Sequence, residues 1–469
     1  MKLSPTARCA ALGVAAVITL ALLFRSREQP LTPRQLASLE TTFKARLAAR
    51  RCDGDGCVID FGEHAARGAS LAAEQRNGAL LNLSLAALRP GDTLKIPNRT
   101  FYVMGGIVAT KLLNVTVRVD GTLAFSRRRS YWPRDAGGSV LPCLYFDGPS
   151  DVVFTSSGVG TLDGQGAAWW GIPGIGYLVR GEDRPRLFHA AGSPKDVLVE
   201  KLRFVNSPYW TFYVDGVDGL EVRGCHIDAR RRASATTHSP YELTAFNTDG
   251  YDVTGRNVYI HDSSVWCQDD GIAVKDGSED MLFERMDVSG VGITIGSIGA
   301  SNVRNITFRD IRSSNPFKGI YLKFRSDGGN ITDVTYENIA LEAPEQWPIW
   351  IGPAQQSDSS RLCAAHPCSL CWPTDPWATC DAPDSQYKNI LLKNVSIDSP
   401  RESLGVIIGS ATSPMINVTF QDVVATNMNP DGAWGAAQYY CKGVASGRAT
   451  GRTNVVPPCF EDATDARLR

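Results

Sequence analysis

The sequence predicts an all-β chain wound into one long parallel β-helix, and three observations predict it. A short motif recurs through the central half of the 469 residues, most of its copies start about 23 to 28 residues apart, and 44 Gly and 17 Phe stand beside only 6 Met. The motif has three alternating positions, a polar pair, then another apolar position. It reads Val197-Leu198-Val199-Glu200-Lys201-Leu202, then Leu220-Glu221-Val222-Arg223-Gly224-Cys225, and returns at Ile306, Val334, Ile390 and Val418, with weaker copies near Val258 and Leu282. Each copy predicts a short strand, a polar corner and a second strand. From Val334 to Ile390 the gap is about two periods, filled by an insertion. Leucine-rich repeats share the period but need regularly placed Leu and Asn, which are missing. One coil cannot bury its apolar face alone, so the stack is one cooperative unit rather than several domains.

Flanking elements follow in order. Residues 1–27 hold Met1, Lys2 and Arg8, an apolar run from Cys9 to Phe24, then Arg25 and Arg27, which is a secretory-pathway signal. A cleaved signal peptide and a single N-terminal anchor both fit it, and either puts the body in an oxidising compartment, secreted or held at a membrane. Residues 28–50 read as an Arg- and Ala-rich linker, 51–456 as the β-helix with a small helical N-terminal cap, 353–383 as a Pro- and Cys-rich insertion, and 457–469 as a weakly structured tail. Cys52 with Cys57 and Cys441 with Cys459 could close loops. Cys363, Cys368, Cys371 and Cys380 suggest two disulfides, with a zinc knuckle as the rival. Seven Asn-x-Ser/Thr sequons, at Asn82, Asn98, Asn114, Asn305, Asn330, Asn394 and Asn417, suit a glycoprotein, although Asn394 and Asn417 also belong to the repeat. A net charge of −1 offers no basic field, which argues against nucleic acid as a partner. The expected assembly is a monomer.

Chemistry concentrates in Asn247-Thr248-Asp249-Gly250 and Gln268-Asp269-Asp270-Gly271. Asp249 and Asp269 are about twenty residues apart, close to one coil, so stacking would bring them to neighbouring rungs of one face. Adjacent strand residues point to opposite sides, so a bend must turn Asp269 and Asp270 together. Three gathered carboxylates repel, which raises a proton affinity and lets an acid and a base coexist near neutral pH. Glycosidic bond hydrolysis needs that pair. A calcium site or a turn ladder are the rival readings.

At these residues the chain resembles the polygalacturonase family, glycoside hydrolase family 28. The resemblance rests on Leu162-Asp163-Gly164-Gln165-Gly166 with Trp169-Trp170, then Arg184-Pro185-Arg186-Leu187, Asn206-Ser207-Pro208-Tyr209-Trp210, the two Asp motifs and Ile295-Gly296-Ser297, in that order. It implies a right-handed parallel β-helix, an inverting hydrolase of galacturonan or another pectic polysaccharide, Asp269 as general acid, Asp249 and Asp270 as holders of the water, and no metal or cofactor. Asn247, Gln268, Lys275, Tyr321, Lys323 and Tyr336 would meet substrate. Two departures stand out: Val291 occupies the position of the family's His, and Tyr321 that of its Arg. An arginine grips a carboxylate through two parallel hydrogen bonds, and its loss should weaken uronate binding by roughly 2–4 kcal/mol unless another cation, such as Lys275, Lys323 or Arg325, compensates. A neutral or displaced sugar next to the cut, as in rhamnogalacturonan, is the alternative. Trp169, Trp170, Trp210, Trp347 and Trp350 could stack on sugars, burial being the commoner fate. The rival functions are a catalytically impaired glycan-binding β-helix, and a lyase or epimerase on the same fold.

Overall fold

A computed structural model describes residues 29–48, 52, 56–171, 183–239, 241–357 and 363–465. The apolar leader lies outside them, and among the described residues no helix is long and apolar enough to cross a membrane. The chain is a parallel β-helix in which 28 strands join through ladders that are all parallel. The repeat is its register. Val197, Leu220, Val258, Met281, Ile306, Val334, Ile390 and Val418 pair in succession, one per coil.

One detail of the sequence reading changes and one holds. In strand Glu279–Ser289 it is Met281 and Phe283 that point inward, so the weak copy near Leu282 starts one residue earlier. Val334 pairs directly with Ile390, so the two-period gap is a single coil with a long excursion.

Alternation makes the core. Alternate residues such as Phe283, Phe308 and Tyr336 turn inward and stack, with ring centroids 5.0 and 4.6 Å apart. Each such ring contributes roughly 1.5–3 kcal/mol by leaving water. The polar pair makes the corner: its second residue adopts a left-handed backbone at Lys201, Asp310, Asn338, Asn394 and Asp422. Asn and Asp tolerate that conformation best, and here they also bond along the stack. Asn338 Nδ2 donates to Asp310 at 2.7 Å and Asn394 Nδ2 to Asn338 at 2.8 Å. A parallel ladder joins Asn417, Asn389 and Asp333.

The ends depart from expectation. The stretch read as a linker contains helix α1, Pro33–Ala48, whose Phe43 is buried and meets His64 edge-on. Helix α2, Leu71–Ala86, is capped by Ser70, whose side chain accepts from the Ala73 amide, and it buries Leu71, Leu80, Leu81 and Leu85 over the first coil. The tail also carries a strand: Glu461–Thr464 pairs with Gly447–Gly451, and Phe460 packs edge-on to Phe420. Both segments seal an apolar end that an open stack would leave to water.

Disulfides Cys52–Cys57 and Cys441–Cys459 match the expected loops. In the insertion Cys363 joins Cys371 and Cys368 joins Cys380, which rules out a zinc knuckle there. Three thiols, Cys143, Cys225 and Cys267, are free and buried within the coils.

Candidate active site

One outward-facing row of the sheet carries Tyr145, His189, Tyr213, Asp252, Ala273, Thr294, Tyr321 and Trp350 in register. The acidic motifs sit in the turns that lead into this row. Asp249 precedes strand Tyr251–Trp266, and Asp269 and Asp270 precede Ile272–Val274. The Gly250 amide donates to the Asp270 carbonyl at 2.9 Å, which ties the two turns together. A Cβ on Gly250 would lie 2.2 Å from the Gly271 carbonyl oxygen, so only glycine permits that approach.

The bend required at Asp269 and Asp270 is present. One carboxylate oxygen from each of Asp249, Asp269 and Asp270 lies within 4.8 Å of the others. Their surroundings differ. Asp269, the most accessible, accepts from the Asn247 amide at 3.1 Å, from Asn247 Nδ2 at 3.2 Å and from the Asp270 amide at 2.9 Å. Asn247 adopts a left-handed backbone and its side-chain Oδ1 accepts from Arg184, which also donates to the Pro208 and Phe246 carbonyls. Asp270 is 2% exposed and fixed by Lys323 Nζ and Thr294 Oγ1, both at 2.8 Å. Asp249 is 3% exposed, its Oδ1 has no hydrogen-bond partner among the described residues, and Lys275 stands 3.8 Å from its Oδ2. Lys275 is drawn closer to Asp252, at 2.9 Å.

Burial, followed by repulsion from Asp252 and Asp269, pushes the Asp249 carboxyl well above the ordinary range. Burial and then Asp270 raise Asp269 as well, with Lys323 opposing. Asp252 is pushed by burial to about 6 despite Lys275. Burial disfavours charge on both lysines, yet Asp252 and Asp249 hold Lys275, and Asp270 holds Lys323, above the usual lysine range. Asp249 and Asp269 are thus both raised, and two ammonium groups, Lys275 and Lys323, stand beside the carboxylates.

The remaining expected residues divide. Lys275, Lys323 and Asn247 join the site. Tyr336 does not line the cleft: it is fully buried among the coil rings and its hydroxyl donates to the Ile293 carbonyl at 3.0 Å. Gln268 is 1% exposed and turns toward His238 Nδ1, behind the carboxylates. Tyr321 stays in the row but is shielded by Trp347 and Trp350, its hydroxyl accepting from the Gln355 amide. Of the tryptophans, Trp169, Trp170, Trp347 and Trp350 are buried. Trp210 is half-buried and lines a cleft of ≈ 480 Å³ with Tyr213, Lys275, Ser297 and Arg325. Three site residues escaped the sequence reading: Asp252, Thr294 and Lys318. Alternation could have found the first two, since Tyr251 and Ile293 turn inward and leave the next residue outward.

The model of "Glycosyl hydrolases family 28" matches residues 92–368, well over half of the chain. The chain belongs to glycosyl hydrolases family 28. It is 31% identical to "Endopolygalacturonase I" of Aspergillus aculeatus over 244 residues, 50% of this chain and 60% of that one. Against "Endopolygalacturonase AN8327" of Emericella nidulans it is 28% identical over 316 residues, 66% of this chain and 72% of that one. Among solved structures, endo-xylogalacturonan hydrolase from Aspergillus tubingensis superposes with a TM-score of 0.61 at 17% identity, covering 87% of this chain and 99% of that one. The exopolygalacturonase from Thermotoga maritima gives 0.56 at 17% identity, covering 91% and 96%. At such identities the family 28 structures bear on the fold alone, and they agree with the stacked parallel coils. The chain is a polygalacturonase-like glycosyl hydrolase.

Proposed function

We propose that this family 28 enzyme hydrolyses glycosidic bonds in a pectic polysaccharide by single displacement, with inversion. One observation carries the reading: three carboxylates converge within 4.8 Å, and burial with mutual repulsion raises Asp249 and Asp269. Asp269 is the most accessible of the three and is the general acid, giving its proton to the leaving oxygen as the bond to the anomeric carbon breaks. Burial raises Asp249 as well, but Asp249 is 3% exposed, so access decides in favour of Asp269. Asp249 and Asp270 hold the water that attacks the opposite face, and Asp270, paired with Lys323, takes up its proton. The clustered oxygens are closer than the roughly 6.5–9.5 Å typical of inverting pairs. A retaining enzyme, however, needs a carboxylate free to attack carbon. Asp270 is locked by Lys323 and Thr294, and Asp249 faces Lys275.

The test is product analysis on polygalacturonate and rhamnogalacturonan, with proton NMR of the newly formed reducing end. Inverted products, lost with Asp269→Asn, are expected. An unsaturated product absorbing in the ultraviolet, retention at the anomeric carbon, or no cleavage of either polymer would overturn the reading.

A further inference from the structure

Tyr321 leaves the site without the arginine expected there, and the three cations offered in its place are already engaged. Lys275 pairs with Asp252 and Asp249, Lys323 with Asp270, and Arg325 with Asp276. A fourth cation is not. Lys318 is 2% exposed, as deep as Asp249 and Asp270, which the hydrolase reading also brings to substrate. Its amide donates to the Val291 carbonyl at 2.7 Å, and the Val291 amide donates to the Asp269 carbonyl at 2.7 Å, so Lys318 stands two coils beyond the turn that carries Asp269.

The Lys318 ammonium lies 5.1 Å from the centre of the Tyr321 ring, the same ring that Lys323 approaches to 4.2 Å. Phe317, Trp347 and Trp350 complete the enclosure, with centroids 5.4, 5.9 and 5.4 Å away. Its hydrogen bond goes to a neutral amide, Gln346 Oε1 at 2.8 Å, and no carboxylate pairs with it among the described residues. Ring faces and one amide oxygen only partly replace the water such a group has lost. Burial, then Lys323, lowers its proton affinity to about 7, with Asp270 and Asp269 opposing. An arriving anion would satisfy what the protein leaves open.

We propose that Lys318 receives the carboxylate of an acidic sugar beside the scissile bond, carrying the charge that Tyr321 lacks. The proposal rests on the hydrolase reading for its substrate class, so binding and turnover are measured separately. Trigalacturonate and its methyl ester are titrated against D269N, D269N/K318M and D269N/K318R, followed by tryptophan emission. Replacement by methionine should weaken trigalacturonate by roughly tenfold or more, the cost of one charge-assisted contact, and arginine should recover most of it. The ester should bind the lysine and methionine forms within about twofold of each other. Equal weakening of both ligands, no weakening of either, or no trigalacturonate binding to D269N overturns the assignment. Turnover of polygalacturonate by the unaltered chain reports on the hydrolase reading alone: its absence strikes that reading while the binding comparison still decides on Lys318.

Discussion

At the scale of single residues, the site works because positive and negative charges are interleaved at depth. Asp270 and Lys323 are 2% and 8% exposed, so replacing Lys323 by methionine strands a buried carboxylate. We expect a loss of about 3–5 kcal/mol in denaturant unfolding, together with a collapse in kcat, whereas Asp269→Asn should cost catalysis and leave stability nearly unchanged. The carboxyls also set a pH dependence whose sign is fixed. Asp249, Asp252 and Asp269 bind protons more tightly when folded than unfolded, so between about pH 4 and 6 the native state holds the extra protons, and stability falls as pH rises through that window. Glu200 and Asp183, held below their usual ranges chiefly by Thr155 and Arg134, act oppositely and lose their contribution as pH falls below about 4. Melting temperature should therefore peak near pH 4 to 5, and Asp249→Asn should flatten the descent above it. A monotonic rise from pH 4 to 7 would contradict the assignment. At this scale the sequence was legible where residue type and spacing coincide, at Asp249, Asp269 and Asp270. It was not legible for Lys318, whose meaning depends on rings contributed by a neighbouring coil. Nor was it for Tyr336, where position in the alternation decided between cleft and core.

At the scale of elements, the corner asparagines explain why so irregular a repeat still folds in register. Asn338 accepts from one neighbour and donates to the next, in a left-handed backbone conformation. Asn338→Ala removes two bonds and adds backbone strain, for an expected loss of about 2–3 kcal/mol, while Asn338→Gly should lose about 1 kcal/mol less because glycine accepts that backbone. The same ladders bear on glycosylation. Asn305, Asn330, Asn394 and Asn417 donate the side-chain nitrogen that a glycan would occupy, whereas Asn98 and Asn114 are exposed outside these ladders. Peptide mass spectrometry of protein exported by a glycosylating host should find sugar at Asn98 and Asn114 and little at the ladder positions. The strands were legible because alternation is local. The helix at Pro33–Ala48 was not, since its reason for existing is the coil end it covers, which composition does not announce.

At the scale of the whole molecule, stacking makes distant parts mutually dependent. The insertion held by Cys363–Cys371 and Cys368–Cys380 presses Trp372 against Trp347, Trp350, Trp434 and Tyr440. Exchanging Cys368 and Cys380 together for serine should raise KM more than it lowers kcat, because it loosens the wall around Lys318 without touching the carboxylates. A fall in kcat at constant KM would place the insertion's influence elsewhere. The overall architecture was readable from the period, and the insertion between Val334 and Ile390 from the gap it opens in that period. The three enclosed thiols give this stack an internal clock. Cys143, Cys225 and Cys267 lie on different rungs, and a maleimide reagent reaches each only when its own rung parts from the next. Their relative labelling rates would tell whether the solenoid frays from its capped front or opens first in the middle, where Cys267 Sγ lies 3.1 Å from the Asp269 carbonyl oxygen.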